Sequence, residues 1–156
     1  MQTKVLSGLF IGFSLALIIL HGQQVQATLG ESVDSVAVNQ KVLPVLRSSV
    51  KTSSNYTVHE FQSEAATIRE YVSPSGIVFG IAWTGMTQPD LTPLLGTYAA
   101  EHKKALSHVK RQPGRRYLKI KSDNVVVEKW GHMRKMQGRA YAPALMPQGV
   151  SIDEIK

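Results

Sequence analysis

The chain of 156 residues contains no cysteine. That excludes a disulfide framework, a thiolate zinc site, an iron–sulfur cluster, a cysteine nucleophile and a lipid-bearing N-terminal cysteine. Acidic side chains are scarce: 11 Asp plus Glu stand against 18 Lys plus Arg, for a formal net charge of +7. Catalytic signatures are missing too. No Gly-x-Ser-x-Gly, His-Glu-x-x-His or phosphate-binding glycine loop occurs, and the length is too small for a large catalytic fold. With 43% hydrophobic and 19% charged residues, the composition is that of one globular domain.

One long apolar run is present, from Val5 to Leu20, preceded by Lys4 and followed by a polar stretch to Ala27. This order of charge, apolar run and small residues is that of a secretory signal cleaved after Ala27. The run is short for a membrane-spanning helix, which needs about 20 apolar residues. Residues 28–156 then form the domain, 129 residues carrying +6, enough for a core without covalent staples. No transmembrane span is expected after cleavage.

Along the domain, Val33, Val36, Ala37 and Gln40 have the spacing of one short surface helix, and Ser48 to Asn55 reads as a loop or a poorly formed edge strand. Tyr56–Gln62 and Thr67–Val72 alternate with period two around Ser63–Ala66, a hairpin pattern. Ser73-Pro74-Ser75-Gly76 has type I turn preferences before a third strand, Ile77–Trp83. Pairing Gln62 with Thr67 and Ser73 with Gly76 collects Phe61, Ile68, Val72, Ile77, Phe79, Ile81 and Trp83 on one core face. It also sets His59 opposite Glu70, and Glu60 opposite Arg69 on the other face.

Asp90 is a good N-cap for an amphipathic helix whose apolar stripe is Leu91, Leu94, Leu95, Tyr98, His102, Ala105, Leu106 and Val109, with Gly96 as a point of division. Tyr117–Lys121, Val125–Trp130 and His132–Tyr141 read as further strands, and Pro143, Pro147 and Gly149 mark a surface tail. The expected class is α+β: an antiparallel sheet from two β-meanders with one main amphipathic helix between them.

Charge is concentrated between His102 and Arg139. Twelve cations (Lys103, Lys104, Lys110, Arg111, Arg115, Arg116, Lys119, Lys121, Lys129, Arg134, Lys135, Arg139) face two acids there, +10 against −4 for the rest of the domain. Such a field suits an anionic lipid, an acidic polysaccharide, nucleic acid or another envelope protein, although a solvated basic face has the same composition. Tyr117 and Trp130 add aromatics beside the cations. No specific nucleic-acid motif accompanies them. Two Ser-x-x-Lys matches, Ser48–Lys51 and Ser107–Lys110, and Ser122-Asp123-Asn124 are chance, because the rest of that enzyme pattern is missing. His59, His102, His108 and His132 lack metal-ligand spacing, so no metal or cofactor is expected. His59 with Glu70, or His132 beside Arg134, are the catalytic candidates, as general bases of a small hydrolase or isomerase.

The run Thr67–Phe79, continuing through Trp83, Gly85, Pro89-Asp90-Leu91 and Leu94-Leu95-Gly96, resembles the bacterial domain of unknown function 2844 family. So do Leu29-Gly30-Glu31, Val58-His59-Glu60, Gly131–Arg134, Gly138–Tyr141 and Pro147–Val150. The pattern departs at Met86-Thr87, where a proline would follow Gly85. The resemblance implies export in Gram-negative bacteria and a domain that stands alone, and it carries no established activity onto any residue. The combined expectation is a non-enzymatic binding or accessory module of the periplasm or cell exterior that uses its basic segment. The alternatives are the small enzyme above and a structural or inhibitor-like interaction module.

Overall fold

The computed structural model describes residues 28–32, 47–110 and 112–156. The segment read as a signal, the surface helix expected around Val33–Gln40 and Arg111 lie outside the described residues. Seven strands form one antiparallel sheet: β1 (Arg47–Thr52), β2 (Thr57–Gln62), β3 (Ala66–Val72), β4 (Val78–Gly85), β5 (Tyr117–Lys121), β6 (Val126–His132) and β7 (Lys135–Tyr141). Their order is β1-β2-β3-β4-β7-β6-β5. Two meanders, joined through β4 and β7, thus make an α+β domain. The stretch read as a loop or edge strand is the edge strand β1.

The β2–β3 register follows the alternation: Gln62 pairs with Thr67, His59 with Glu70 and Glu60 with Arg69. The β3–β4 register differs from expectation. Gly76 takes a positive φ of 79°, so the type I turn closes one residue later, and the Ser73 N–H donates to the Ile77 carbonyl at 2.9 Å. This is the three-residue hairpin in which a left-handed glycine follows the turn. Val72 therefore faces Val78, and an irregularity before the Tyr71–Gly80 pair leaves Phe79 without a partner. Phe79 consequently turns to the second face beside Tyr71, and Ile77 leaves the first face, half-buried in a bridge with Ser32.

The first face carries Phe61, Val72, Val78, Ile81, Trp83, Val127 and Ala140, and the helical segment covers it with Leu91, Leu94 and Leu95. Asp90 caps this segment by accepting from the Thr92 N–H at 2.9 Å. Gly96, at φ 50°, divides it into α1 (Leu91–Leu95), a 3-10 turn (Gly96–Tyr98) and α2 (Ala99–Ser107). The apolar stripe ends sooner than its spacing suggests. His102 is buried, whereas Leu106 is 38% exposed because α2 runs out over the end of the sheet. Glu101 ties the start of α2 to the β5–β6 turn, accepting from the backbone N–H of Asn124 at 2.8 Å and from its side-chain amide.

The expected surface tail is instead the cover of the second face. Pro143–Leu145 and Ile152–Glu154 form 3-10 turns, and Ile155 is fully buried among Tyr71, Phe79, Ala82, Val126 and Tyr141. Tyr56 donates to Glu154 at 2.8 Å, Tyr71 donates to the Lys156 carbonyl at 2.9 Å and Arg139 donates to the Ile152 carbonyl at 2.7 Å. Gly80 leaves room for this strap: a Cβ there would lie 2.9 Å from Ile155 Cδ1. Ile155→Ala should lower the unfolding free energy by about 2 kcal/mol, the low end for such truncations because the irregular backbone beside a 3-10 turn can relax. Urea denaturation checks it, and a loss within error of zero would show the strap does not contribute to the core.

A candidate anion-binding groove at the end of the sheet

His59 and Glu70 face each other across β2 and β3, on the first face. Both are governed by desolvation. Burial pushes the Glu70 carboxyl up to about 8 and pulls the His59 imidazole below its ordinary value. Both side chains are therefore predominantly neutral near pH 7, and no ion pair forms. Glu70 Oε2 and His59 Nδ1 are buried without hydrogen-bond partners, and neither residue lines any of the three grooves described below. His132 is exposed at the end of β6, opposite Lys135. His108 lies at the end of α2, where the Lys104 carbonyl accepts from its Nδ1 at 2.8 Å. Among the described residues no group of three His, Asp or Glu could hold a metal ion.

The basic segment divides. Lys119 and Arg139 lie on the second face in an ion-pair row: Lys119 Nζ is 2.7 Å and Arg139 Nε 2.6 Å from the carboxylate of Glu128, which is buried. Arg139 also lies over the Trp130 ring, 5.7 Å from its centroid. Lys121 is exposed on β5, and Lys104 is exposed on α2. Arg134 and Lys135 belong to a shallow groove of about 280 Å³ beside the Ser63–Ala66 turn. These cations do not converge.

Lys110, Arg115, Arg116 and Lys129 do. They line a groove of about 510 Å³ where α2, the 108–116 connection and the first residues of β5 meet. Because the groove runs over the end of the sheet, Leu118, Lys129 and Met136 contribute from the first face while Tyr117 and Trp130 contribute from the second. Leu106, Val109 and Pro113 complete an apolar wall, and among the described residues no carboxylate lines it. Arg115 is held in place as it donates to the Gln112 side chain and to the Lys110 carbonyl at 3.1 Å. Trp130 is held by donating to Gln137 at 2.7 Å.

A second groove of about 590 Å³ lies on the other flank of α2. Leu91, Leu95, Ala99, His102, Lys103, Leu106 and Lys129 line it, with Asp90 at the start of α1. Leu106 and Lys129 line both grooves. Lys129 is half-buried, and desolvation lowers its pKa. Desolvation first, then the Lys129 charge, lowers that of His102.

Lys129 is one cation among twelve in the basic segment, and charge alone does not distinguish it from the others. A signal was there. Lys129 follows Glu128 in a strand, so the two occupy opposite faces, and Lys129 shares the apolar face with Val127. Gln88, Leu118 and Met136, which also line the first groove, carry no comparable signal.

The geometry defines a class: a single-sheet α+β domain, strapped by its C-terminal segment, with a cationic groove at the end of the sheet. The chain belongs to the family described as Protein of unknown function (DUF2844), whose model matches residues 25–155. No curated protein matches the sequence. Among solved structures the chain is similar to a cysteine-rich secretory protein from Staphylococcus aureus, at 12% identity and a TM-score of 0.45. The match covers 75% of this chain and 45% of that one. That degree of likeness is below what a shared fold requires. Among the described residues no helix is long and apolar enough to cross a membrane.

Proposed function

We propose that the protein is an exported, non-enzymatic binding module that engages an anionic lipid of the cell envelope through the groove at the end of its sheet. One observation carries this reading. Lys110, Arg115, Arg116 and Lys129 line a single cavity with Tyr117, Trp130 and an apolar wall, and among the described residues no acid lines it. Cations alone would suit any polyanion, a polysaccharide included. The apolar wall of Leu106, Val109, Pro113, Leu118 and Met136 favours a ligand with hydrocarbon beside its charge.

Export rests on the N-terminal pattern of Lys4, the Val5–Leu20 run and Ala27. Expressed in a Gram-negative host, the protein should be recovered from the periplasm or medium with Thr28 as its first residue. Recovery of the uncleaved chain from the cytoplasm would overturn that part.

Binding is tested with vesicles containing phosphatidylglycerol against vesicles of phosphatidylcholine alone. The expected result is cosedimentation with the anionic vesicles only, weakening as salt rises from 50 to 200 mM. Arg115→Glu with Arg116→Glu should reduce it at least tenfold; both side chains are exposed and outside the core, and the bonds Arg115 makes are local to the connection. Binding that ignores lipid charge, or that the double variant leaves intact, overturns the reading.

A further inference from the structure

The two grooves are separate in outline but share Leu106 and Lys129. Each has a volume within the range of small-molecule sites, roughly 300–1,000 Å³. The first is ringed by cations, the second floored by Leu91, Leu95 and Ala99. Lys129 stands between them without a salt bridge among the described residues, and both its neighbours across the sheet are apolar: Leu118 on one side, and Gly138 with Trp83 packed over it on the other.

A half-buried ammonium without a salt bridge among the described residues is costly, and Lys129 is one. One ligand would compensate it: an anion with oxygen acceptors at the junction and hydrocarbon beyond it. The one acid on either wall, Asp90, is occupied in capping α1, so it does not compete for Lys129.

We propose that the grooves form one binding site for a single-chain carboxylic amphiphile, a long-chain fatty acid bound as a monomer, with its carboxylate on Lys129 and its chain along the Leu91–Leu95–Ala99 wall. The inference rests on the anionic-lipid reading and deepens it, from contact with a membrane surface to withdrawal of one chain from it. Lys110, Arg115 and Arg116 guide the charged end inward, and Lys129 holds it. Leu106, exposed on α2 and lining both grooves, covers the neck between head and chain.

The test is a titration of the purified protein with cis-parinaric acid below its micelle concentration, read by the rise in polyene fluorescence, with oleate and oleyl alcohol as competitors. Saturable binding at one site is expected, displaced by oleate at least tenfold better than by oleyl alcohol. Lys129→Met keeps the stem and removes the charge, and should weaken binding at least tenfold. Leu106→Glu changes a side chain that is 38% exposed on α2 and outside the buried core. It places a competing carboxylate beside Lys129 and should have the same effect, so the proposal stays testable if the first variant misfolds. Absence of parinarate binding, equal displacement by the alcohol, or affinity unchanged in both variants overturns the proposal. Vesicle binding that still depends on Arg115 and Arg116 in that case leaves the surface reading standing, and its loss as well removes both.

Discussion

Glu128→Gln is expected to lower the unfolding free energy by about 3 kcal/mol near neutral pH, because it removes the buried negative charge between two cations. Glu128 is 2% exposed and accepts from Lys119 and Arg139 at 2.7 and 2.6 Å. Burial alone would raise the Glu128 pKa, but the hydrogen bonds from Lys119 and Arg139 outweigh it and hold the carboxyl below its ordinary range. A carboxyl so lowered stabilises the fold fully above that range, and the contribution disappears as pH falls through the folded value. The variant should therefore lose stability at pH 7 and show a flatter acid limb than the wild type. The loss is at the low end for a broken buried pair, since Lys119 can turn to water and Arg139 keeps the Ile152 carbonyl. Replacing all three at once, Glu128→Leu with Lys119→Met and Arg139→Met, should cost less than the single change, because no charge is then left uncompensated. Urea titrations at pH 7 and pH 4 decide it. A single variant as stable as the wild type at pH 7 would mean the row contributes nothing.

That row also shows why part of the fold is legible in the sequence. Glu60 and Arg69 sit opposite each other in strands that alternate cleanly, so charge pairing and apolar periodicity select the same β2–β3 register, and the Arg69–Glu60 pair closes at 2.6 Å. The helical segment is legible for a similar reason. Asp90, the leucines after it and Gly96 each impose a local constraint, and the structure obeys all three. Failure begins where a local pattern permits two closures. Ser73-Pro74-Ser75-Gly76 satisfies a type I turn whether or not Gly76 adds a left-handed residue, and the choice moves Ile77 and Phe79 off the expected face. The β6–β7 turn gives even less warning: Met133 and Arg134 both take positive φ, 32° and 53°, without the Gly or Asn that usually marks such turns.

The groove was legible only as a charge excess. Its walls come from α2, the connection after it, β5, β6 and β7, and their meeting depends on β4 pairing with β7, a contact between the two meanders that no short-range pattern specifies. The cations between His102 and Arg139 are therefore residues the fold separates: Lys119 and Arg139 neutralise Glu128 on one face, and Arg134, at the tip of the β6–β7 hairpin, lines the shallow groove beside the Ser63–Ala66 turn instead. The tail was misread for the opposite reason. Its prolines and glycine describe an irregular backbone correctly but do not indicate that Ile155 fills the second face.

Glu70→Gln should stabilise the protein, and by an amount that depends on pH. Burial alone raises the Glu70 carboxyl from an ordinary 4.5 to about 8. Between those values the unfolded chain has released its proton while the folded chain retains it, so stability falls as pH rises, by about 1.4 kcal/mol per unit, and levels off above 8. Glutamine has no proton to lose. The variant should match the wild type at pH 4 and exceed it by about 4–5 kcal/mol at pH 8.5, in thermal or urea unfolding. His59 adds its own dependence on the acid side: its lowered pKa means that protonation below the ordinary imidazole range favours the unfolded chain, so both proteins lose stability there. The sign at pH 8.5 separates two descriptions of the same register pair. A charged Glu70 bridged to an imidazolium would make Glu70→Gln destabilising, and would return the pair to consideration as a catalytic dyad. A gain in stability identifies a neutral carboxyl buried without a partner for Oε2, kept in the sheet at a cost that rises with pH.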